Sequence, residues 1–145
     1  MDKGGSFIVF VVNVEGLIIK GDKVLIGRRS VKEEHAGDQL SLIGGTVEVG
    51  GNSNDILENN LKREIMEETG LEVGHFKYVN NTSFVTNSGT PVINIVFSCD
   101  WLLGEAVVKD KDEVSELIWL TFDEIINNEN NPFYLVDSVK IYKKG

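Results

Sequence analysis

The chain has 145 residues, 41% hydrophobic and 26% charged, with two prolines, one cysteine and a formal net charge of −9. That length predicts one domain over residues 1–145 with a real core, and the composition excludes a disordered chain or a coiled coil. The charge argues against a nucleic-acid polymer as partner, because phosphate backbones are bound by basic patches, and a lone Cys99 excludes an internal disulfide.

In chain order, residues 7–14 and 17–20 are rich in β-branched residues and predict strand. The apolar run over residues 7–12 is too short to span a bilayer, and no small-residue cleavage site follows it. No membrane contact and a cytoplasmic location are therefore expected. Gly21-Asp22 is a turn signal, residues 23–28 form a second strand, and polar residues 30–38, carrying His35, form a loop. Residues 39–43 predict a short strand ending at Gly44-Gly45. Residues 48–54, with Gly50, Gly51, Asn52, Ser53 and Asn54, read as an exposed, mobile loop.

A helix is expected from about Asp55. Asp55 and Glu58 have the form of a capping box, with Ser53 and Asn54 as alternative caps. Leu57, Leu61 and Ile65 make its core stripe, and Gly70 is its C-cap. Residues 76–85 and 92–100 predict an antiparallel pair joined through Asn87-Ser88-Gly89. Cys99 lies in the second strand of that pair and reads as a buried structural thiol. Residues 116–120 form a further strand, and Thr121 with Glu124 is a second capping box opening a short helix. A last helix begins at Asn131-Pro132 and runs to about Tyr142, with Pro132 at its first position. Strands with one central helix and helices near the end predict an α+β fold, a mixed sheet with helices on its faces.

The chemistry concentrates in Arg63-Glu64-Ile65-Met66-Glu67-Glu68-Thr69-Gly70-Leu71. With Glu64 at the origin of a helical wheel, the stripe Leu57, Leu61 and Ile65 sits at about 20°, 60° and 100°. Glu68 falls at about 40°, inside that stripe, and Glu67 at about 300°, flanking it. A solvated face lies opposite the core, whereas these carboxylates prolong the buried stripe. They also repel one another at spacings of three and four and crowd the helix end that favours cations. A bound divalent metal offsets both penalties better than Arg63 alone, and hard cations take oxygen ligands.

These nine residues match every position of R-E-U-x-E-E-x-G-U, where U is aliphatic, the second half of the Nudix box. Gly44-Gly45 followed by Val47-Glu48 resembles that family's loop before the helix. Ile118-Trp119-Leu120 before Asp123-Glu124 resembles its last strand and following helix, so the resemblance runs from about Phe7 to Phe133. It implies an α/β/α sandwich. Two departures stand out: Asp55 occupies the place of a family glutamate, and the loop before it, within residues 50–54, is four residues longer than the pattern. Asp55 either pairs with Arg63, as that glutamate does, or caps the helix.

The resemblance implies hydrolysis of a nucleoside diphosphate linked to another group, with water attacking phosphorus and Mg²⁺, or Mn²⁺ in its place, neutralising the diphosphate. It gives Glu64, Glu67 and Glu68 as metal ligands with the Gly45 carbonyl, Glu64 or Glu67 as base, and Arg63 as the residue orienting them. A further acidic residue is expected from a later loop, where Glu113 is preferred over Asp110, Asp112 and Glu116. Arg28 or Arg29, on opposite faces by strand alternation, reaches the substrate phosphates, and Gly44 borders the substrate. The implied partner is a small nucleotide, a nucleoside triphosphate or a nucleotide sugar such as ADP-ribose, and family members often form homodimers. Pro91 lies further beyond the box than the proline of ADP-ribose hydrolases, and no tyrosine marks a dinucleoside polyphosphate hydrolase, so the substrate stays open. Two other readings are a nucleotide-sensing module of weak catalysis and an isoprenoid-diphosphate isomerase. The second wants a reactive cysteine, which Cys99 does not resemble.

Overall fold

A computed structural model describes residues 7–31 and 38–145; His35 lies outside them. Hydrophobic alternation builds the centre. β1 (Val11–Lys20) turns at Gly21 into β2 (Lys23–Arg29), and β1 also runs parallel to β6 (Pro91–Leu103). β5 (Glu72–Val85) is antiparallel to β6 and completes that side. The seven-stranded sheet has the order β3-β2-β1-β6-β5, in which β3 is Leu40–Ser41, with β4 (Ile43–Thr46) on β1 and β7 (Val114–Thr121) on β2. Along β1, Val14 and Ile18 face one layer while Leu17 faces the other. The first layer is closed by α1 (Ile56–Thr69) through Leu61 and Ile65. The second is closed by α2 (Phe122–Ile126) and α3 (Phe133–Lys144) through Ile125, Leu135 and Val139. The result is the expected α/β/α sandwich.

Several boundaries differ from expectation, each for a physical reason. Residues 7–10 are not strand, and Phe7, Ile8 and Val9 are exposed. Their would-be partner β6 begins only at Pro91, after the hairpin turn, so pairing starts at Val11 with Val92. The short strand expected over residues 39–43 splits at Leu42. β3 (Leu40–Ser41) pairs with β2, and β4 then switches to β1, which brings Gly44 and Gly45 inside the sheet. β5 starts earlier than expected, at Glu72, because bulges near His75, at φ 57, carry it past the interruption. β7 likewise starts at Val114, paired with Arg29. Pro132 is the N-cap of α3, with extended ψ 141, and the first helical residue is Phe133.

The Thr121–Glu124 capping box forms as expected, and Gly70 closes α1 at φ 79. The Asp55–Glu58 box does not. Asp55 sits in the left-handed region at φ 54, where its side chain makes no capping hydrogen bond among the described residues. Asn59 Nδ2 instead donates to the Asn54 carbonyl, tying down the loop's end. Cys99 is buried as expected, its thiol pushed up to about 12 by burial and by neighbouring Asp100, far from a nucleophile's range. Among the described residues no helix is long and apolar enough to cross a membrane.

Candidate active site

The wheel argument predicts where the carboxylates go, and α1 obeys it. Leu61 and Ile65 are fully buried against the sheet, and Ile65 packs so closely on Gly16 that a Cβ there would lie 2.9 Å from its Cδ1. That docking drives the last turn of α1 onto the β1–β4 edge. The Glu64 side chain is 17% exposed and its carboxylate lies against Gly45, where a Cβ would come within 2.7 Å of Oε2. Gly45 pairs with Val14 across the ladder, so the missing side chain is what gives Glu64 its place.

Glu68 is the strained member. Its Oε2 is buried without a hydrogen-bond partner among the described residues. Burial, then the charges of Glu64 and Glu113, push its carboxyl up to about 8 from the ordinary 4.5, against a smaller opposing effect of Arg29. Glu64 is raised as well, by burial first, with Arg63 working against it. Glu67 is more exposed and meets Arg63 at 3.3 Å.

Arg63 holds this turn from the side. Its guanidinium lies 3.4 Å from Glu64 and 3.6 Å from Glu48, and Nη2 donates to Asn60 Oδ1 at 2.9 Å. Asn60 also accepts from the Glu48 backbone N–H at 3.0 Å, so the loop before the helix is fastened to the helix through this amide. Sequence reasoning missed Glu48 and Asn60 in this role. Asn60 lies three residues before Arg63, on the same helix face, a spacing that could have revealed it. Both expectations for Asp55 need correction: it neither caps α1 through its side chain nor figures among these partners of Arg63.

Of the two arginines, Arg28 turns outward, donating to Glu116 at 3.1 Å with Asp38 at 4.0 Å. Arg29 turns to the site, where its charge acts on Glu68 and also on Glu15 and Tyr134. Glu116 is thereby taken up by Arg28, and Asp110 accepts from the Asp112 backbone at 2.9 Å within its own turn. Glu113, whose carbonyl accepts from the Ser30 N–H at 2.9 Å, acts electrostatically on both Glu64 and Glu68. The structure thus brings Glu64, Glu67, Glu68, Gly44, Gly45, Arg29 and Glu113 to one edge of the sheet, and leaves Arg28 outside it.

The donor set suits a hard divalent cation: carboxylates, one with an orphaned buried oxygen, beside a glycine cradle that a Cβ would fill. As the side chains stand, no three His, Cys, Asp or Glu of the described residues converge on one point. Glu64 and Glu67 both pair with Arg63, and Glu67 is the more exposed of the two.

Comparison with known proteins gives a family and a fold. The family model for the NUDIX domain matches residues 7–138. The NAD-capped RNA hydrolase NudC of Pectobacterium atrosepticum is 24% identical over 108 residues, covering 74% of this chain and 37% of that protein. The chain therefore spans about a third of the length of the curated relatives it matches. Among solved structures, a MutT protein from Methanosarcina mazei superposes with a TM-score of 0.76 at 24% identity, covering 93% of this chain and 94% of the other. A UDP-X diphosphatase superposes at 0.69 with 20% identity, covering 97% and 66%. At these identities the structural likeness is one of fold.

Proposed function

The chain belongs to the NUDIX family, and on that premise we propose that it is a Mg²⁺-dependent pyrophosphohydrolase of a nucleoside diphosphate linked to another group. One observation carries the reading: among the described residues Glu68 holds an unpartnered carboxylate oxygen in a buried place, with the charges of Glu64, Glu113 and Glu67 repelling it. A protein keeps such a cluster where a cation is to be bound. Glu64, Glu67 and Glu68, with the Gly45 carbonyl, would hold Mg²⁺, or Mn²⁺ in its place. Bound there, the cation supplies charge screening at the diphosphate and acidifies water.

The chain's own residues do the rest. Glu64 or Glu67 takes the proton from the attacking water, and Glu113, whose charge acts on Glu64 and Glu68, is a further carboxylate for the same site. Arg63 touches no substrate; it fixes Glu64 and Glu67 in orientation. Arg29 neutralises a phosphate, since its guanidinium can take two phosphate oxygens at once. The backbone at Gly44 and Gly45 lets substrate approach the sheet edge closely.

The relatives' names point to NAD-type diphosphates and to UDP-linked groups. A net charge of −9 favours small nucleotides over an RNA chain. The test is a hydrolysis panel of nucleoside triphosphates, ADP-ribose, UDP-glucose, NAD⁺ and NAD-capped RNA, each with Mg²⁺ and with EDTA. We expect turnover of at least one small nucleotide, lost in EDTA. A second reading is a nucleotide sensor, favoured by the lengthened loop and by Asp55 leaving both of its expected partners. Nucleotide binding with no turnover on any member of the panel would select it and overturn the hydrolase.

A further inference from the structure

Glu15 is a carboxylate in the middle of the central strand, where an aliphatic side chain would cost least. Its neighbours Val14 and Gly16 face α1, so Glu15 projects to the opposite face, under α3. The fold makes provision for it. Asn94, from the parallel strand β6, donates to Glu15 Oε1 at 2.8 Å. Beside the carboxylate is a cavity of about 10 Å³, lined by Leu42 and Leu135 and by the polar side chains of Thr82, Asn94, Tyr134 and Ser138. That volume suits one water or one hydroxyl or amino group. Glu15 is half-buried, which leaves it within reach of a ligand.

Its position relates it to the carboxylate turn. In the β1–β4 ladder Glu15 is paired with Gly44, and the adjacent pair is Val14 with Gly45, the residue against which Glu64 rests. Val14 and Glu15 are adjacent in β1 and face opposite sides of the sheet. Arg29 links Glu15 to the carboxylate turn electrically, because its charge acts on Glu68, on Glu15 and on Tyr134. A diphosphate held by Arg29 would bring its substituent toward the side of the sheet on which Glu15 lies.

We propose that Glu15 is a specificity-determining residue, accepting a hydrogen bond from an O–H or N–H donor on the group joined to the diphosphate. The inference rests on the hydrolase reading. An ionised carboxylate only accepts, so a ligand donor completes it, whereas an analogue lacking that donor leaves it desolvated and unpaired. Burial raises the Glu15 carboxyl, which Asn94 and Arg29 only partly oppose, so the site gains from a further donor.

The experiment measures kcat and KM with Mg²⁺ for wild type, Glu15→Leu, Glu15→Gln and Asn94→Ala on two sets of triphosphates. One set removes base donors (GTP against ITP, ATP against purine riboside triphosphate), and the other removes sugar hydroxyls (ATP against its 2′-deoxy and 3′-deoxy forms). In wild type, loss of one particular donor is expected to lower kcat/KM by about 100-fold, mostly through KM. The arm in which this happens identifies base or sugar as the source. Glu15→Leu should shrink that ratio to within about 3-fold, and Asn94→Ala should move it the same way by less. Equal losses on every analogue, or no discrimination in wild type, would overturn the assignment. Should Glu15→Leu fail to fold, Glu15→Gln is read in its place. Should wild type turn over nothing, the hydrolase reading has failed, and calorimetry of the same nucleotides in EDTA decides Glu15 alone: unchanged affinity in the variant overturns it.

Discussion

Glu68→Gln should melt higher than wild type at pH 8 in EDTA, by about 5–10 °C, and the two proteins should converge near pH 4.5. Burial and the neighbouring carboxylates hold the folded carboxyl at about 8 against an ordinary 4.5. Between these values the folded protein keeps a proton that the unfolded chain has released. Stability from this group is therefore fully present below pH 4.5 and is lost as pH rises through 8. The loss is on the order of 2–4 kcal/mol, and glutamine, which has no charge to desolvate, does not suffer it. Glu64 and Glu15 are also raised, so the variant should retain a shallower slope of the same sign. A flat difference across pH, or a variant that melts lower at pH 8, would mean that Glu68 is not the strained group described above.

The second large effect separates two adjacent glycines. Gly44→Ala should lower stability by about 3 kcal/mol or more, because its Cβ would lie 2.0 Å from the Val14 carbonyl oxygen and 2.7 Å from Glu15 Cα. Those atoms are backbone of the central strand and cannot withdraw without opening the β1–β4 ladder. Gly45→Ala meets only the Glu64 carboxyl, at 2.7 Å, and a side chain can swing aside. Its stability should change by less than about 1 kcal/mol, while displacement of Glu64 lowers turnover by about 100-fold. Chemical denaturation and initial rates on the pair check this. Equal stability of Gly44→Ala and wild type, or full activity in Gly45→Ala, would contradict the close approach on which the site is built.

How much of this was legible beforehand depended on whether a feature was set by local periodicity or by a distant partner. The stripe of Leu57, Leu61 and Ile65, with Glu68 prolonging it, follows from helical geometry, and α1 carries it. The Thr121 box and the Gly70 cap are likewise local and formed as expected. The errors fell where tertiary pairing decides. Residues 7–10 have strand propensity but no strand beside them, and the chain at Leu42 changes partner from β2 to β1, which no propensity encodes. Asp55 had the right residue type for a cap, yet the lengthened loop delivers it in a left-handed conformation that turns its side chain away.

The site shows the same division. The glutamates were readable because one turn of helix holds them. Glu48 and Asn60 were overlooked as partners of Arg63, since Glu48 arrives from across the long loop. Glu15 gave no signal in sequence, a lone acid among β-branched residues, and only the pairing with Gly44 and the field of Arg29 tie it to the turn. The register of β2 on β7 shifts between Arg28 and Arg29, so alternation alone does not decide which one meets the carboxylates, and Glu116 of β7 captures Arg28.

In the proposed function Glu64, Glu67 and Glu68 bind a divalent cation that diphosphate cleavage requires. The most direct measurement is the initial rate of cleavage of the preferred nucleotide against Mg²⁺ concentration, in wild type and in Glu68→Gln. Wild type should rise to saturation from no activity in EDTA, and Glu68→Gln should be slower by about 1000-fold with a weakened Mg²⁺ dependence. Turnover that Glu68→Gln leaves unchanged, at the same Mg²⁺ requirement, would contradict it.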